Sequence, residues 1–173
     1  PMLYETWLYA GIGLGYKRDQ QEAVFARGVA LAPDFYPMHY MMGFYYTPRW
    51  HGEDNDLEEF LQRAWDVSKA ACGDTLYANL AADYSGEFTC TYAGSGEMAQ
   101  WSGVDSGFRQ LLVDFPDSTR FLNLYCFMAC LFREKGRAAE LFAKIGGQQD
   151  HSVWGSEEES EFNRYQRWAT MDD

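Results

Sequence analysis

The chain has 173 residues, 47% of them hydrophobic and 17% aromatic, and carries a formal net charge of -12. A chain of about 150 residues buries roughly 70% of the surface it exposes unfolded, so a single domain over residues 1–173 is expected, and the hydrophobic content excludes a disordered chain despite the charge. Two isoleucines and six valines against 18 alanines and 14 leucines remove most of the β-branched material that sheets favour, which points to an all-α fold.

In chain order, Leu3, Trp7, Leu8, Ile12 and Gly15 follow a 3.6-residue period and predict a helix from Leu3 to Tyr16. A second helix runs from Gln20 to Ala32 behind Asp19 as candidate N-cap, with Val24, Phe25, Gly28 and Leu31 on its apolar face and Pro33 as its stop. Tyr36-Pro37 opens a third through about Tyr46, closed by Thr47-Pro48. The fourth, Asp56 to Cys72, carries the stripe Leu57, Phe60, Leu61, Ala64, Trp65 and Ser68; Gly73-Asp74 separates it from a fifth, Thr75 to Tyr84. Serine, glycine and threonine then predict a long loop over about 85–97. Helices follow at Met98 to Phe115, Ser118 to Phe132 (apolar nearly all round, hence central), Arg137 to Ile145 and Glu157 to Thr170, the last as a cap.

No apolar stretch approaches the roughly 20 residues of a membrane span. The four lysines and ten arginines are scattered, without the basic stripe that nucleic-acid or anionic-membrane binding needs. Acidic runs at Glu53–Glu59 and Glu157–Glu161 leave a basic protein as a partner. The chain opens Pro-Met-Leu-Tyr-Glu, which shows no export signal, and Cys72, Cys90, Cys126 and Cys130 fall in no disulfide framework. A cytoplasmic protein with free thiols is expected.

Motifs for chemistry are weak. His39, His51 and His151 lack metal-ligand spacing, and Gly11-x-Gly13-x-Gly15 lacks the rest of a phosphate-binding fingerprint. The serine-glycine pairs, Ser102-Gly103 and Ser106-Gly107 among them, form no nucleophile elbow. No metal, cofactor or catalytic residue is assigned.

Helix pairs joined by short turns invite comparison with helical repeats. Leu8, Ile12, Phe25, Gly28 and Pro33 fall where a tetratricopeptide repeat places large apolar, large apolar, aromatic, small and proline residues; Gln21 and Tyr9 depart from its usual small residue and glycine. Met128 to Phe142 has the same helix, glycine-containing turn and Ala-x-x-x-Phe rhythm. Together these windows cover somewhat under half the chain. Tyr36-Pro37, Pro48-Arg49-Trp50-His51-Gly52 and Gly73-Asp74-Thr75-Leu76-Tyr77-Ala78 also resemble an uncharacterised bacterial family with a tetratricopeptide-like domain, although His51 interrupts its Pro-Arg-Trp-Gly turn. The resemblance implies antiparallel helix pairs stacked as a short, degenerate, right-handed α-solenoid with a C-terminal capping helix and a binding role, and it carries no catalytic residues.

In that register Met38, Met41, Met42 and Tyr45 take packing positions, while Tyr36, His39, Tyr40, Gly43 and Tyr46 face a concave groove; Arg49 and Trp50 either stack at its edge or staple the turn structurally. The competing reading packs the same aromatic stripe against the fourth helix or the long loop. The functional expectation is a non-enzymatic protein- or peptide-binding domain with Tyr36, His39, Tyr40, Tyr46, Arg49 and Trp50 as its partner-binding residues. The alternatives are an inhibitor or immunity-type protein that occludes a basic toxin or nuclease, and an enzyme with the 85–97 loop as a lid.

Overall fold

The computed structural model describes residues 1–86, 99–155 and 161–171. Ten helices are present among them: α1 Met2–Gly13, α2 Arg18–Leu31, α3 Tyr36–Tyr45, α4 Asp56–Cys72, α5 Thr75–Asp83, α6 Trp101–Asp114, α7 Thr119–Leu131, α8 Lys135–Ile145, α9 His151–Trp154 and α10 Glu161–Thr170. The described residues contain no strand, and no described helix is long and apolar enough to cross a membrane. Most of the predicted 85–97 loop, with Cys90 and the expected start of the sixth helix at Met98, lies outside the described residues.

Local chemistry sets the helix ends. Helix α1 stops before Tyr16 because Gly15 takes a φ of +69° and the Tyr16 N–H bonds back to the Gly11 carbonyl at 2.9 Å, closing the last turn. Lys17, not Asp19, caps α2: its backbone N–H donates to Gln20 Oε1 at 3.0 Å, and Asp19 sits inside the first turn. Helix α4 keeps its expected bounds, with three acids in its first turn against the helix dipole and Gly73 at a φ of +62° after its end. The short α9 lies where no helix is predicted, and Asp150 starts it by accepting the Ser152 N–H at 2.9 Å.

The main packing contacts run between helices adjacent in the chain or next but one. Helix α3 is the most enclosed of the first five, touching α1, α2, α4 and α5. From α1–α5 to the later helices the principal contact is α5 on α6. Here α6 presents Gly103 and Gly107 to its neighbours: a Cβ at Gly107 would lie 2.3 Å from the Asp74 carbonyl oxygen, and one at Gly103 would lie 2.8 Å from the Trp65 ring. The backbones therefore approach as closely as glycine allows. Trp65 stacks on Tyr77 at 4.4 Å between centroids and donates its indole N–H to Asp74 Oδ1 at 2.7 Å, while the Tyr77 hydroxyl accepts the Gln100 N–H at 2.7 Å. Helices α4, α5 and α6 are tied at one point.

The C-terminal half has its own polar centre. Asn123, fully buried in α7, donates to the carbonyls of Thr119 (2.8 Å) and Gln148 (3.0 Å) and accepts from Asp150 N–H (3.2 Å) and Trp154 Nε1–H (2.7 Å). Both donors and both acceptor sites of the amide are used. They hold the segment after α8 on α7 and seat Trp154 among Phe127, Phe142 and Phe162 at 5.2 to 5.7 Å.

Gly107→Ala should cost roughly 2–4 kcal/mol because the added carbon meets backbone. Gly136→Ala in α8, where a Cβ meets nothing within 4 Å, should gain roughly 0.5–1 kcal/mol; urea denaturation of the two variants checks the contrast. Asn123→Ala, read by the same denaturation, should lose about 3 kcal/mol, since it strands several buried polar groups at once.

Candidate functional site

Because α3 is packed by four helices, most of its circumference is buried and only one stripe reaches solvent. That face holds Tyr36, Pro37, Tyr40, Met41 and Phe44, with the rings of Tyr36, Tyr40 and Phe44 spaced four apart. Tyr40 is 36% exposed, with Tyr36 and Phe44 half-buried beside it. The Tyr36 and Tyr40 rings lie 6.1 Å apart at 30°, and Tyr84, just after α5, stacks on Tyr40 at 5.6 Å and 20°. The Tyr84 hydroxyl donates to the Tyr40 carbonyl. Gly43 makes that seat possible, since a Cβ there would stand 2.6 Å from the Tyr84 ring. Farther along, Trp50 is 45% exposed and rests on Phe44 at 5.1 Å. The result is two groups of mutually braced rings, Tyr36, Tyr40 and Tyr84 in one and Phe44 with Trp50 in the other, whose side chains lose little freedom on further contact.

Acidic groups border the rings. Tyr36 donates its hydroxyl to Asp83, and burial together with that carboxylate pushes the phenol far above its ordinary pKa. Arg120 of α7 approaches the same carboxylate at 3.9 Å. The nearby Ser85 hydroxyl donates to the Ala82 carbonyl at 2.7 Å.

Of the six residues predicted to meet a partner, Tyr36, Tyr40, Arg49 and Trp50 reach the surface to different degrees. Arg49 and Trp50 have two readings, a stack at the groove edge and a structural staple of the turn; the ring contact present is Trp50 on Phe44. His39 and Tyr46 do not face a groove: they are 0% and 3% exposed. The reason is the enclosure of α3, which draws positions 38, 39, 42, 45 and 46 inward together. The His39 ring lies edge-on to Phe25 at 5.2 Å and donates Nε2–H to the Pro33 carbonyl at 2.8 Å, while its Nδ1 is buried without a partner. Burial lowers the His39 pKa, against the opposing pull of the Pro33 carbonyl and Asp34. Tyr46 donates to Glu22, which also accepts from Arg63 at 2.9 Å, and Arg18 and Arg63 approach its ring at 5.1 and 5.7 Å from the centroid. Burial and Glu22 push the Tyr46 phenol up to about 12, with Arg63 opposing.

Phe44 and Asp83 belong to this surface and Tyr84 lies buried beneath it, and none of the three was among the sequence candidates. The 36/40/44 spacing could have revealed Phe44; Tyr84 depends on the packing of α5 on α3. Among the described residues no group of His, Cys, Asp and Glu is placed to hold a metal ion. Cys72, Cys126 and Cys130 are free, and burial raises the Cys126 thiol far above its usual range, which makes it unreactive. The proposed lid loop lies almost entirely outside the described residues. No family model matches the chain, and neither a curated protein nor a solved structure does.

His39 generates a pH dependence. A histidine whose pKa is depressed in the fold contributes stability that is complete above its unfolded value near 6.5 and is lost as pH falls through the folded value. Melting temperatures taken between about pH 7 and about pH 5 should fall for the native chain and fall less for His39→Gln.

Proposed function

We propose that the chain is a non-enzymatic helical-repeat domain that binds a protein or peptide on the aromatic face of α3. The aromatic side chains Tyr36, Tyr40, Phe44 and Trp50, with Tyr84 behind Tyr40, carry this reading: partly exposed aromatics held against neighbouring rings offer large contact area at low entropic cost, and such groups dominate binding energies. Neighbour-to-neighbour packing supports a solenoid of helix pairs, in which each pair buries its face on the next. The repeat-like positions agree, since Leu8, Ile12 and Phe25 are buried and Gly28 lies against Met38 and Tyr4. Gln21, too large for its place in a regular repeat, fits because Gly11 faces it, and its amide donates to the Leu8 carbonyl at 3.1 Å.

A second reading, favoured by the net charge of -12, makes the partner a basic protein that this chain occludes. Acidic surfaces accelerate capture of basic partners, and salt slows it.

Affinity capture from the native cell extract with the tagged chain, compared with Tyr40→Ala and Trp50→Ala, tests the site. Each substitution should weaken the captured interaction by about 30-fold without lowering the melting temperature appreciably, whereas Val113→Ala on the exposed part of α6 should change neither. Undiminished capture by both aromatic variants would remove the site. For the second reading, the partner's association rate should drop steeply with added salt, and an acidic or salt-indifferent partner would exclude it.

A further inference from the structure

The outward half of α1 is apolar and uncharged. Met2, Leu3, Tyr9 and Leu14 are each exposed by 69 to 73%, and Trp7 by 39%. Thr6, Ala10 and Gly13 fill the rest of that half, while Glu5, the one charged side chain of the helix, falls in the stripe of Ile12 beside it. Along one edge of the exposed half, next to the half-buried Tyr4, run Leu3, Trp7, Ala10 and Leu14, at the alternating four-three-four spacing with which one helix packs on another. The order also has a symmetry: read from either end it is leucine, four residues, three residues, four residues, leucine.

We propose that this face is a self-association surface, on which two copies pair α1 against α1 antiparallel about a two-fold axis. That arrangement puts Trp7 of each copy over Ala10 of the other, large on small, and Leu3 opposite Leu14, so one patch complements itself as a two-fold interface requires. Leu3, Trp7 and Leu14, exposed by 71, 39 and 73%, are the large side chains that this pairing covers, while Met2 and Tyr9 lie round the helix outside the seam. Charge selects the same occupant. Two copies each at -12 repel through their carboxylate-bearing faces over about 10 Å at 0.1 M salt, and α1 offers them a face without that repulsion. A basic partner would find no carboxylate there to pair with.

Sedimentation equilibrium of the purified chain tests this without any other protein. The mass should rise from one chain toward two between about 1 and about 100 µM, and added salt should strengthen the pairing, opposite to its effect on capture of a basic partner. Trp7→Glu should weaken it by about 100-fold, and Leu14→Glu, at a more exposed position, should do the same without touching the contact of Trp7 with Tyr4; circular dichroism confirms that both stay helical. For orientation, Leu3→Cys mixed with Leu14→Cys should cross-link on mild oxidation, above the background of the native cysteines, and Leu3→Cys alone should not. A mass of one chain at every concentration and salt, a dimer indifferent to both glutamates, or cross-linking of Leu3→Cys to itself would each overturn the proposal.

Discussion

Helix α6 can lie on α5 only because two positions of α6, one turn apart, have no side chain. At Gly107 the neighbour is backbone, the Asp74 carbonyl, which cannot rotate away, and at Gly103 it is a pair of aromatic rings already stacked on each other. Everything after α6 is placed by that contact, because it is the principal bridge from the first five helices to the rest. The aromatic content of the joint follows from the same constraint: flat rings fill the thin gap left between closely approaching helices, and Trp65 and Tyr77 both find polar partners for their tips.

The aromatic residues of the chain thus divide by what braces them. Around α7, α8 and α10 many meet edge to face, as Trp154 and Phe162 do at 89°, and Phe142, Trp154 and Phe162 are buried. On α3, Tyr40 lies between Tyr36 and Tyr84 and still keeps 36% of its surface exposed. The same residue type builds a core in one place and a partly exposed face in the other.

Much of the fold was legible because it rests on local signals. Asp56 to Cys72 was readable from the acids before it and the glycine after it, and the Tyr36-Pro37 start from proline geometry. Errors arose where the answer depends on distant chain. His39 and Tyr46 looked outward in a regular repeat register, and only the packing of α1, α2, α4 and α5 around α3 turns them in. Asn123 gave no sign of its role, since three of its four partners lie 25 to 31 residues away. Gly103 and Gly107 drew notice as neighbours of serines, whereas their meaning lies in the residues opposite them. Helix α9, at four residues, is too short for periodicity to show.

Helices that touch chiefly their chain neighbours also set how the molecule assembles in time. Contacts between segments close in sequence need little loop closure, so such chains fold quickly, and their pieces can form in either order. The joint at Gly103 and Gly107 then has a kinetic meaning. The cluster around Asn123 and the layers around α3 each rest on contacts between helices close in the chain, and the α5–α6 joint is where the two are coupled.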